Sequence, residues 1–106
     1  MDTLQPFQST TLPFKDPGET LLVEFDFSAE LAAGETIETA VISCVLLKGY
    51  DVNPSGILAD AAQLTTPKVF QLISGGVDGS YYKISCTAST SGGEIIILKA
   101  VVPVRR

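Results

Sequence analysis

Alternation of apolar and polar residues with period two, confined to short runs, is what most constrains this chain. In "TLLVEFDF", residues 20–27, Leu21, Val23, Phe25 and Phe27 fall on one side of an extended backbone, and Glu24 and Asp26 fall on the other. That is the pattern of a half-buried strand. "TIETAVISCVLLKG" repeats it, but here Ala40, Ile42, Cys44 and Leu46 face Val41, Val45 and Leu47 across the strand. Apolar residues on both faces predict a central strand, or one covered by a neighbouring subunit. "PKVFQLIS" alternates through Val69, or through Phe70 and Leu72. "SYYKISCTAST" places Tyr82, Ile84, Cys86 and Ala88 in phase, and "EIIILKAVVPV" carries Pro103 at an exit or edge position because proline cannot donate to a ladder. "ILADAAQL" is expected as an irregular edge segment, with a short helix on the Leu58, Ala61, Ala62 spacing as the other reading.

Between these runs stand "SAELAAGE", "YDVNPSG", "GGVDG" and "SGG", turn chemistry at intervals of roughly ten residues. Short strands so punctuated, without a long helical period, predict an all-β antiparallel Greek-key sandwich of about seven strands. With 106 residues the chain is expected to form one domain. Residues 20–106 make the sandwich. Residues 1–19, which hold Pro6, Pro13 and Pro17, are expected as an extended N-terminal arm. Phe7, Pro13 and Phe14 on that arm are the candidate protein contacts.

The glycine stretch 75–79 has two readings. A phosphate loop needs glycines that open a helix, so that its first amides meet the anion. Gly79 leads into a strand instead, so Gly75, Gly76 and Gly79 are expected to supply positive φ in a strand-to-strand connection. Tyr82 then takes a second meaning. In Greek-key sandwiches a tyrosine near the start of the sixth strand bends back to hydrogen-bond the preceding connection, and Tyr82 is the candidate. Tyr81 would face outward.

Chemistry is harder to build here. Histidine is absent, which removes the commonest general base and a common metal ligand. Asp51, Asn53, Ser55 and Gly56 resemble the first half of a calcium loop, but the twelfth position is Ala62 and Pro54 intrudes, so the segment reads as a turn. Asp16, Asp26, Asp51, Asp60 and Asp78 form no evident catalytic pair, and no serine or threonine sits in a nucleophile-elbow sequence. Cys44 and Cys86 are expected as small core thiols, with a bridge as the other reading. The expectation is no enzyme, no catalytic residue, no cofactor and no metal.

A net charge of −5 with scattered basic residues argues against nucleic acid or an anionic membrane as partner. No run reaches the roughly 20 apolar residues of a membrane span. "MDTLQPFQSTTLPF" lacks the basic start of a signal peptide, and synthesis as a cytosolic protein is expected.

Four stretches carry a resemblance: "KDPGE", "FDFSAEL", "GETIETAVIS" and "VFQLISGGVDGSYYKISCTAST". On these, residues 15–48 and 65–91 resemble a family of small bacteriophage virion proteins with an immunoglobulin-like sandwich, described as tail-fibre adaptors or as tail or capsid-decoration components. Where members of that family often place tryptophan, this chain has Phe27 and Ile42. The resemblance implies an immunoglobulin-like fold without catalytic residues, and a location in the virion. It also implies contacts with other virion proteins of the tail, portal-proximal region or capsid, in symmetric multiple copies. The open edge of the first or last strand is a further expected contact. The alternatives are a carbohydrate-binding adhesive module using loops 49–56 and 75–79, and a capsid decoration protein.

Overall fold

The structure is a computed structural model that describes residues 9–106. Its strands are β1 (Ser9–Thr11), β2 (Thr20–Asp26), β3 (Ile37–Lys48), β4 (Leu58–Thr65), β5 (Lys68–Ser74), β6 (Tyr81–Thr90) and β7 (Ile95–Pro103). A 3-10 turn, Pro54–Ile57, precedes β4. They form two sheets, ordered β1-β7-β6-β3 and β2-β5-β4. Every pairing is antiparallel except β1 on β7, which is parallel. This is the all-β immunoglobulin-like sandwich of seven strands expected from the turn spacing and the resemblance.

The seventh strand comes from an unexpected place. Ser9–Thr11, in the segment read as an arm, pairs with Lys99–Val101 and becomes first in the order. Cys44 therefore lies on the third strand. Leu12 donates its N–H to Val101 at 2.8 Å, so the chain runs along β7 of its own sandwich. Phe7 lies outside the described residues.

Inward positions of both sheets build the core. Phe25 and Val23 from β2, Val69 and Ile73 from β5, and Ile84, Cys86 and Ala88 from β6 meet Val102 and Ala100 of β7. Phe27 is fully enclosed just past β2, where its N–H donates to the Pro67 carbonyl at 2.9 Å. Each buried Val, Ile or Phe among them stabilises the fold by about 1.5–3 kcal/mol through the water it sheds.

Two strands depart from their sequence pattern. The inward face of β5 is Val69, Gln71 and Ile73, not Phe70 and Leu72. Gln71 is buried because its Nε2 donates to the carbonyls of Ala59 (3.0 Å) and Leu72 (2.8 Å), with Asp60 O at 3.2 Å. The ladder with β4 slips between Ala59 and Gln63, and Asp60 takes φ 61°. The carboxamide thus satisfies backbone oxygens that the irregular edge strand leaves over.

β3 is the second departure. Its place in the sheet order is the edge, with β6 as its one ladder partner among the described residues. The central-strand reading is therefore corrected. Its inward Ala40, Ile42, Cys44 and Leu46 are only half-buried, and Val41, Val45 and Leu47 are exposed.

Where β3 ends, Gly49 sits against the start of β6. It has φ 99°, and a β-carbon there would come within 2.6 Å of Ser80 Cα. Gly34 has φ 81° with nothing within 4 Å of the same added atom. Gly34→Ala should cost about 1–2 kcal/mol through backbone strain alone. Gly49→Ala adds a backbone collision and should cost clearly more than that. Urea-denaturation midpoints of the two variants check the order, and equal midpoints would contradict it.

Candidate functional site

One end of the sandwich gathers the N-terminal segment, the C-terminus and two loops, and hydrogen bonds tie all four together. The connection from β5 to β6, residues 75–80, crosses from one sheet to the other. Gly75, Gly76 and Gly79 have φ of 74°, 102° and 84°. At Gly76 the requirement is steric as well, because an added β-carbon would stand 2.9 Å from Val104 Cγ2.

Tyr82 anchors this corner. The residue is fully buried, and its hydroxyl accepts from the Val77 N–H at 2.9 Å. The same hydroxyl donates to Asp51 Oδ2 at 2.6 Å, joining the corner to the loop after β3. Asp51 uses its other oxygen to accept from the Asn53 N–H at 2.9 Å. Both carboxylate oxygens that a calcium loop would aim at an ion are therefore engaged in the turn and the corner. Among the described residues no three His, Cys, Asp or Glu side chains converge as a metal site.

The electrostatics agree with this geometry. The Tyr82 hydrogen bond, then the Asn53 amide, hold the Asp51 carboxyl below its usual range. Burial first, and the Asp51 contact second, push the Tyr82 phenol up. Neither group is poised to move a proton near neutrality.

Lys15 fastens the N-terminal segment to the same end. It is 1% exposed. Its backbone N–H donates to the Pro103 carbonyl, and its carbonyl accepts from the Arg105 N–H. Its ammonium donates to the carbonyls of Gly75 (2.7 Å) and Asp16 (3.0 Å). Burial pulls the Lys15 pKa down, and the charges of Glu19 and Asp16 oppose that shift. The C-terminal strand closes the ring of contacts. Gly79 N–H donates to the Val104 carbonyl, Val104 N–H donates to the Ser80 carbonyl, and Arg106 N–H donates to Asp78 Oδ1 at 2.8 Å.

With Lys15 turned inward, its neighbour Phe14 turns outward. Phe14 is 53% exposed and lies under the Arg105 guanidinium, 4.3 Å from ring centroid to Cζ. Pro13 is exposed beside it. The two loops of this end add Tyr50, Val52 and Val77, all exposed. The sequence singled out Phe14 and Pro13 but missed Lys15, Val52 and Val77. A buried lysine and apolar loop tips have no local signature.

Tyr81 lies on the outer face of the sheet with the Lys48 ammonium 5.7 Å from its ring centroid. Cys44 and Cys86 are free thiols on adjacent strands, with Cys44 opposite Ile84 and Cys86 opposite Ile42. Burial pushes both up from 9.0 to about 11, and the Asp51 charge adds to the shift at Cys44. Thiols held in the protonated form are poor nucleophiles. A cleft of about 530 Å³ opens on the other side of the sandwich, between the β2 edge and β1 and β7, lined by Leu12, Leu22, Phe25, Leu98 and Ala100 with Glu24 and Asp26 at its border.

Tyr82→Phe removes the acceptor for the Val77 N–H and should lower stability by about 1–2 kcal/mol while the fold persists. It should also weaken the acid limb, because a depressed Asp51 pKa supplies stability that is present above 3.8 and lost as pH falls through the folded value. Urea titrations at several acid pH values measure both effects. At the alkaline end the sign is reversed. Cys44 and Cys86 have folded pKa values above their ordinary 9.0, so their contribution is complete below pH 9 and is lost as pH rises toward about 11. The urea midpoint should therefore fall through that window, and a Cys44→Ser, Cys86→Ala double variant should flatten the fall.

Residues 15–103 match the family described as podophage GP4 fiber-tail adaptor protein gp77. No curated protein matches the chain. The match spans β2 through β7, and the chain belongs to that family, a phage structural component.

Proposed function

We propose that this adaptor-family chain works without catalysis, by joining other virion proteins in symmetric multiple copies, and that its main docking surface is the pinned end of the sandwich. The observation that carries this reading is the exposure of Pro13, Phe14, Tyr50, Val52 and Val77 on segments that hydrogen bonds hold rigid. Apolar side chains already held in place lose little conformational freedom on binding, so more of their burial appears as affinity. Arg105 over Phe14 and the neighbouring Arg106 offer a cationic rim for an acidic partner surface. Repetition of the contact around a symmetric particle strengthens it through multivalency.

Membership of a fiber-tail adaptor family supports a partner in the tail or its fibre. Purified tails and purified heads, each made without this chain, separate that reading from capsid decoration. Wild-type protein should co-sediment with tails. Phe14→Ser should weaken the binding by roughly 10- to 100-fold, the loss of one buried aromatic anchor. Ile95→Ser, an exposed change at the opposite end of the sandwich, should leave binding unaltered. Wild-type binding by Phe14→Ser and Val52→Ser alike, or binding to heads alone, would reject the proposal.

A further inference from the structure

The edges of a sandwich are where it invites another chain, and those of this one are unequally defended. β2 carries Glu24 and Asp26 on its outer face, and β4 is broken by its slipped ladder and the positive φ of Asp60. β7 is capped by β1 over Lys99–Val101. Charges, bulges and coverage are the devices that keep edges from pairing. β3 has none of them through the regular run Thr39–Leu46, where every residue is apolar or a small hydroxyl residue or cysteine. Its irregularities fall only at the ends, between Ile37 and Thr39 and between Leu46 and Lys48. Its inward side chains are half-buried and its outward ones exposed, so both faces of the strand remain to be covered.

We infer that β3 pairs with β3 of a second copy, antiparallel about a two-fold axis through Ser43, to give a continuous sheet across the dimer. The charges select the register. With Ser43 opposite the second copy's Ser43, Val41 meets Val45, Ile42 meets Cys44 and Ala40 meets Leu46. Just beyond the regular run, where each strand carries its irregularity, Glu38 of each copy comes to lie near Lys48 of the other, at both ends. A shift of two residues in one direction sets Glu38 against Leu46 and Lys48 against Thr36, and in the other sets Glu38 against Tyr50 and Lys48 against Ala40. A shift by one puts the apolar rows on opposite faces. Opposite charges directly across a ladder stabilise it and like charges destabilise it.

The pairing has a geometric consequence. The Lys48 end of β3 leads directly into Gly49–Val52, part of the docking end, so an antiparallel pair carries its two docking ends at opposite poles. Such a dimer bridges two partners. That consequence rests on the docking proposal, whereas the pairing itself does not.

The full chain alone, studied by sedimentation equilibrium, tests the pairing without any virion partner. Wild type should show a concentration-dependent dimer. Glu38→Lys and Lys48→Glu should each weaken it by roughly 3- to 30-fold, since each change places like charges at both ends. The double charge swap should return the affinity toward wild type. A wild type that stays monomeric at every concentration, or a double variant no tighter than the single ones, overturns the inference. Cross-linking checks the register independently. Under mild oxidation Ser43→Cys should give a disulfide-linked dimer and Val45→Cys should not, because only residue 43 lies opposite itself. The reverse result overturns the register.

Discussion

The Tyr82 hydroxyl, sealed inside one end of the sandwich, is the contact on which the surroundings depend. Its ring occupies the core, so its oxygen has no water to turn to and must find partners within the chain. It finds the Val77 N–H and the Asp51 carboxylate, which lie on two different connections. The loop after β3 and the corner before β6 are thereby fixed to each other. Lys15 extends the same logic to the N-terminal segment, because its enclosed ammonium is held by the carbonyls of Gly75 and Asp16. The exposure of Phe14 and Val77 is a by-product of these inward anchors.

Buried polar groups elsewhere act in the same way. Gln71 answers the carbonyls of a slipped edge strand, and Ser80 Oγ accepts from the Tyr50 N–H at 3.2 Å. At the opposite end, Thr90 Oγ1 donates to Glu35 at 2.6 Å and accepts from the Glu94 N–H. Each of these side chains holds backbone or loop in place and none is left poised for reaction. In the function proposed above, the shape and rigidity of the surface are what the chain offers a partner. Its edges matter as much as its ends, since an open ladder and an apolar face have opposite requirements of solvent.

Much of the fold is legible in the residues alone. The alternation in β2 and β6, the glycine corner, the role of Tyr82 and the sandwich class all come from period-two patterning and turn chemistry, which are local properties. The misread segments share a cause. Ser9–Thr11 has too few residues to show a period, and its pairing partner lies about ninety residues away on β7. The phase of β5 is ambiguous because Phe70 and Leu72 are more apolar than Gln71, yet Gln71 is the residue whose carboxamide the core requires. Lys15 carries no local mark of burial, and Val52 and Val77 come to the same end as Phe14 only through the loops that bear them.

The order of apolar and polar residues by itself determined that this chain makes short strands, and where most of them turn, because side chains on an extended backbone alternate whatever lies around them. Which strand stands at an edge is not written in that order. β3 has apolar residues on both faces, and such a pattern suits a central strand and a covered edge equally well. Only the packing of the sheets decided between them, since ladder partners are chosen by the closing of distant segments around a common core.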